Sequence, residues 1–99
     1  MIRTVRILRR AVQDLEEARR YVERDRPAVA RALLIRLVAA AESLAEHPER
    51  GALPRDERLR SLGYRFLVAE PYLLFYKVGR SVVRVYRVLH GQRRYQSIL

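Results

Sequence analysis

Residues 64–90 read YRFLVAEPYLLFYKVGRSVVRVYRVLH. β-Branched and aromatic residues dominate the three apolar runs 64–70, 72–78 and 82–90, the composition that a pleated, half-buried surface favours. The breaks between them carry turn chemistry. Glu70-Pro71 places a proline, which has no N–H for a ladder, at a turn or strand edge, and Val78-Gly79-Arg80-Ser81 is a hairpin signal. This half of the chain predicts an antiparallel meander. Just before it, Arg58-Leu59-Arg60-Ser61-Leu62 alternates and reads as a further strand, ending in a turn or bulge at Gly63.

Toward the N-terminus the period changes. Residues 2–8, IRTVRIL, still read as a strand. From Arg10 onward, Ala11, Leu15, Ala18 and Val22 fall on one helical stripe, and Glu16 with Arg20 forms an i,i+4 pair on the opposite face. Asp25-Arg26-Pro27 interrupts that helix, and Pro27 suits the first turn of a second one. The second helix carries two apolar stripes, Leu33–Leu37–Ala40–Leu44 and Leu34–Val38–Ala41–Ala45. An arc this wide must bury two flanks, against the first helix and the sheet. Leu34, Val38 and Ala41 are the positions where it is expected to receive a partner helix. HPERG (47–51) ends the helix, and GALPRDER (51–58) is a polar connection. The pattern predicts one α+β domain over residues 1–99: an N-terminal strand and a two-helix hairpin packed on a four- to five-stranded antiparallel sheet.

The chain of 99 residues is 49% hydrophobic and 32% charged, which suits a globular fold and not a disordered one. No apolar run reaches the roughly 18–20 residues of a membrane span, and MIRTVRILRR lacks the apolar centre of a signal peptide. With no cysteine, disulfide and thiolate chemistry are excluded, and a cytoplasmic location is expected. The formal charge of +10 is unevenly spread. Up to Glu57, 12 arginines face 10 carboxylates; from Arg58 onward, 8 arginines and Lys77 face Glu70 alone. The β half is therefore electropositive and suited to a polyanionic partner, either nucleic acid or an acidic protein segment.

The common catalytic constellations are absent from the sequence: no glycine-rich phosphate loop, no metal-ligand cluster, and no nucleophile with a neighbouring base. His47 and His90 stand far apart, so neither a metal site nor any cofactor is expected. What remains is a basic, polar set on the β half: Arg65, Arg84, Arg87, His90, Arg93, Arg94 and Tyr95. By strand parity Val83, Val85, Arg87 and Leu89 point one way, and Arg84, Tyr86, Val88 and His90 the other. Arg87 on an apolar face is costly unless its guanidinium is paired, with backbone carbonyls or Glu70, or escapes to the rim.

These segments in this order resemble a known family. The helix AVQDLEEARRYV (11–22), the helix start RPAVARAL (26–33), HPERG, LRSLGYRFLV (59–68), YLLFYKV (72–78) and VYRVLHGQRR (85–94) are similar to the ParE branch of the RelE/ParE toxins. Those are the small basic partners of bacterial type II toxin–antitoxin pairs. The resemblance implies a two-helix hairpin against an antiparallel sheet and a cognate antitoxin whose C-terminal segment wraps the toxin.

The two branches imply different chemistry. ParE-like members poison DNA gyrase through a binding surface, without a bond-making site. RelE-like members cut mRNA on the ribosome, which needs basic side chains on the scissile phosphate and an acid or base. Under that alternative the catalytic set is Arg65, Arg93, His90 and Tyr95. The position of the RelE-like catalytic tyrosine, however, falls at Leu99, and the lysine pair before the Gly–Tyr–Arg strand is replaced by Arg58 and Arg60. The full helical hairpin and the Arg–Val–Leu–His–Gly run favour the gyrase branch. A non-toxic protein-binding member of the same fold is the second alternative.

Overall fold

A computed structural model describes residues 2–99. The chain runs β1 (Thr4–Ile7), α1 (Arg9–Glu23), α2 (Pro27–Glu42), a single 3-10 turn (Ser43–Ala45), α3 (Glu57–Ser61), β2 (Tyr64–Ala69), β3 (Tyr72–Val78), β4 (Val82–His90) and α4 (Tyr95–Ile98). The expected α+β fold is present, with the helical hairpin on one face of a four-stranded sheet ordered β1-β4-β3-β2. β2, β3 and β4 form the antiparallel meander. The sheet departs from the antiparallel expectation at one edge, where β1 runs parallel to β4, Thr4 opposite Val82 through Ile7 opposite Val85. The α1–α2 hairpin is long enough for the crossover that a parallel pair demands.

The core between helices and sheet follows the sequence periodicity. Ala11, Leu15 and Ala18 of α1 and Leu33, Leu37 and Ala41 of α2 meet Leu67, Leu74, Tyr76, Val83, Val85 and Val88 of the sheet. Ala41 belongs to this buried stripe, at 2% exposure, while Leu34 and Val38 are half-buried against it. Of the three positions expected to receive a partner, Ala41 has no surface to offer. The exposed large apolar residues of α2 are Val29 and Ile35 instead. On α1, Glu16 pairs mainly with Arg19, which also reaches Glu23; Arg20 stands 3.9 Å away.

The sheet has a second covered face. Leu59, Tyr64, Phe75 and Leu89 form a smaller core there, closed by Phe66, Leu73, Tyr86 and the C-terminal Tyr95, Ile98 and Leu99. Leu59 comes from α3, the segment expected to be a strand. Asp56 Oδ1 accepts the Leu59 N–H at 3.0 Å, an N-cap that commits the following residues to a helix. Leu59 and Leu62, read as strand alternation, are also spaced i,i+3, and Leu59 is fully buried beneath the turn.

Candidate functional site

Arg65 and Tyr76 are directly opposed on β2 and β3, and together they hold the HPERG loop. Arg65 Nη2 donates to the carbonyls of Glu49 and Gly51, both at 3.1 Å. The fully buried Tyr76 hydroxyl donates to the Pro48 carbonyl at 2.7 Å and accepts the Gly51 N–H at 3.0 Å. Arg65 Nε is buried without a partner among the described residues. Gly51 is there because nothing larger fits: a Cβ would stand 2.7 Å from the Phe66 carbonyl oxygen and collide with the Tyr76 hydroxyl. Gly51→Ala is expected to lose about 2 kcal/mol by overpacking and to break the hydroxyl's two bonds. Urea denaturation measures this, and an unchanged midpoint would contradict the lock.

Arg87 is bound to Asp14 on α1, not to Glu70. Its Nε and Nη2 donate to the two carboxylate oxygens at 2.8 and 3.0 Å, and the Val88 N–H donates to the same carboxylate at 2.9 Å. Arg10 lies 3.3 Å away on the outer side. β1 ends opposite Val85, so Asp14 occupies the edge of β4 where the next strand residue would stand. A buried carboxylate with this many donors is a satisfied one. Its hydrogen bonds hold the Arg87 guanidinium pKa above its ordinary value.

The parity expected for β4 holds only to Val85. Tyr76 faces Val85 and Phe75 faces Arg87, so Tyr86 is an extra residue, a bulge that inverts the alternation beyond it. Val88 consequently joins the helix-side core, and Leu89 joins the opposite one.

His90 and Arg93 lie elsewhere. They line a cleft of about 490 Å³ with Tyr21, Tyr72, Gln92 and Glu17, between α1 and the end of β4. His90 meets the Tyr72 ring edge-on at 5.5 Å and accepts the Gln92 N–H at Nδ1, 3.2 Å. That bond assigns the neutral ring's proton to Nε2. Arg94 is exposed at the start of α4.

Tyr95 does not extend the strand-end surface. Its ring turns back onto Phe75 at 4.9 Å, and Arg58 holds the segment by donating to the Gln96 carbonyl at 2.7 Å. Arg84 is exposed on the face away from the helical hairpin. The seven residues of the basic set are thus dispersed: Arg65 in a loop lock, Arg87 in a buried ion pair, His90 and Arg93 at a cleft, Tyr95 packed on the sheet, and Arg84 and Arg94 exposed.

Two residues with defined roles were missed in the sequence. Asp14 stands at i+3 in the stripe Ala11–Leu15–Ala18, a polar residue in a core position, and that spacing was its signal. Lys77, the lone lysine, sits over the rings of Tyr64 and Tyr86 at 4.5 and 4.9 Å. Its signal was weaker, an unpaired cation between aromatic positions of adjacent strands.

The sequence profile describing the ParE toxin of the type II toxin–antitoxin system parDE matches residues 5–95. The chain belongs to the ParE toxin family. At that level its function is that of a type II toxin of the ParE/RelE kind. The ParE-family chain is 39% identical over 84 residues to Toxin RelE2 of Caulobacter vibrioides, covering 85% of this chain and 90% of that protein. It is 31% identical over 90 residues to the putative toxin Y4kP of Sinorhizobium fredii, covering 91% and 90%. Among solved structures, the chromosomal ParDE system of P. aeruginosa shares the fold, with a TM-score of 0.75 at 20% identity, over 90% of this chain and 96% of that one. The RelBE2 toxin–antitoxin complex of Mycobacterium tuberculosis is similar at a TM-score of 0.63 and 26% identity, over 91% and 92%.

Proposed function

We propose that this ParE-family toxin inhibits growth by binding DNA gyrase, as a binder and not a catalyst, in the cytoplasm, and that a cognate antitoxin neutralises it. The observation that supports this reading is the dispersal of the groups a nuclease would need. Phosphodiester cleavage requires cations and an acid or base converging within about 3 Å of the reacting atoms. Arg65 is tied to the HPERG loop through Nη2, which donates to two of its carbonyls, and Tyr95 is packed against Phe75. His90 stands opposite Tyr72 and Arg65 opposite Tyr76, which separates them by about 13 Å along β3 alone at the usual strand rise. The antitoxin is supported by the family and by the solved neighbours, both of them toxin–antitoxin systems.

The RelE-like alternative, cutting mRNA on the ribosome, is favoured by one observation: the 39%-identical relative carries the name RelE2. A binding assay separates the two. The purified chain is passed over immobilised gyrase and over immobilised ribosomes with an empty A site. Saturable binding to gyrase alone is the expected result; binding to ribosomes alone would overturn the proposal.

A further inference from the structure

The two helices of the hairpin differ on the side turned away from the core. On α1 the outermost row, at i, i+4, i+7 and i+11, is Arg9, Gln13, Glu16 and Arg20, all polar. On α2 the corresponding row is Ala28, Ala32, Ile35 and Ala39, all apolar and all exposed, Ile35 at 63%. The inner side of α2 is apolar too, with Ala30, Leu33, Leu37 and Ala41 buried. A helix that is apolar on both sides is normally covered on both. Among the described residues nothing covers the outer row of α2.

That row is bounded by charges of opposite sign. Arg31 stands near its start and Glu42 is the last residue of the helix, both exposed. Neither is in an ion pair among the described residues, where every such pair uses Arg10, Arg19, Arg20 or Arg87. Glu42 is also at the unfavourable end of its own helix, because the last turn carries negative partial charge and disfavours a carboxylate. α2 has no acidic residue in its first turn and no basic residue in its last, so its own side chains compensate neither end of the dipole. Arg36, the other exposed charge of the helix, lies about 100° around the axis from Ile35, to one side of the row.

We propose that the outer face of α2 is a self-association surface, on which a second copy of this chain docks its own α2 antiparallel about a two-fold axis at Ile35. In that arrangement Ile35 packs on its own copy and Ala28 lies level with the partner's Glu42. Arg31 comes within about 5 Å of the same carboxylate along the axis, on the same flank. The symmetry makes each such pair twice. Glu42 leaves the field of its own last turn for the positive field of the partner's first turn. The alanines on either side of Ile35 let the helix axes approach to about 8 Å. An acidic protein segment fits this face less well, because it would meet Glu42 as well as Arg31. The inference goes beyond the gyrase reading and does not require it.

The test is sedimentation equilibrium of the purified full chain over roughly 1–200 μM, the range suited to the small interface of one helix pair. The mass is expected to rise from 11.7 kDa toward twice that value. Ile35→Glu should remain monomeric throughout, with an unchanged melting temperature. Charge reversal reads the orientation. Arg31→Glu and Glu42→Arg should each weaken association about tenfold or more, since each sets like charges against one another. Mixed in equal amounts, the two should associate, because each charge then faces its opposite. The Arg31→Glu/Glu42→Arg double variant should associate as the parent does, and it serves if one of the single variants fails to fold. A chain that is monomeric at every concentration would overturn the proposal and leave the face to another partner. A dimer that Ile35→Glu leaves intact, or reversals that recover neither on mixing nor in the double variant, would overturn it as well.

Discussion

Asp14→Ala is expected to cost about 3–5 kcal/mol, the penalty for stranding one half of a buried ion pair. For a domain of this size that lowers the melting temperature by roughly 15–30 °C. Both side chains are well inside, 2% exposed for Asp14 and 12% for Arg87. The substitution also deprives the Val88 N–H of its acceptor on the unpaired edge of β4. The pair's net worth is a separate quantity. Asp14→Leu combined with Arg87→Met replaces charge by apolar volume, and it should recover most of the loss except about 1–3 kcal/mol for the orphaned N–H. Thermal melts of the two variants test this. A single variant that melts within a few degrees of the parent would mean that water or another group takes over from Asp14.

The second large effect concerns the face away from the helical hairpin. Phe75 is fully buried between Phe66, 6.0 Å away, and Tyr95, 4.9 Å away. Phe75→Ala is expected to cost about 3–5 kcal/mol through lost burial and the cavity left behind. It should also release the C-terminal segment from the sheet, so the amides of Gln96 to Leu99 lose hydrogen-exchange protection. The companion variant addresses chemistry. No hydrogen bond from the Tyr95 hydroxyl exists among the described residues, so Tyr95→Phe should leave stability within about 0.5 kcal/mol and toxicity unchanged. A folded Tyr95→Phe variant that no longer arrests growth would return that hydroxyl to a catalytic role.

The meander was legible because two signals coincide in residues 64–90: β-branched and aromatic content, and turn residues at both breaks. The helical hairpin was legible from its period and Pro27. What the sequence could not show depended on partners. The bulge at Tyr86 exists only relative to β3, so the side to which Arg87 and Leu89 turn follows from register and not from local alternation. Arg58 to Leu62 is short enough to satisfy a strand and a helical turn alike, and the Asp56 cap decides it. Arg65 and Tyr95 were candidate site residues by the family resemblance, and Arg87 as part of the basic set of the β half. Arg65, Arg87 and Tyr95 each have a tertiary partner remote in sequence, on the HPERG loop, on α1 and on β3 respectively, which local sequence could not reveal.

The engagement of Arg65 and Tyr95 in structural contacts, away from His90, is the reason for reading the molecule as a binder. The most direct test is a supercoiling assay with purified DNA gyrase, relaxed plasmid and the chain in stoichiometric excess. The account predicts that the plasmid stays relaxed and that protein-linked cleaved DNA accumulates. Full supercoiling at the uninhibited rate would contradict it.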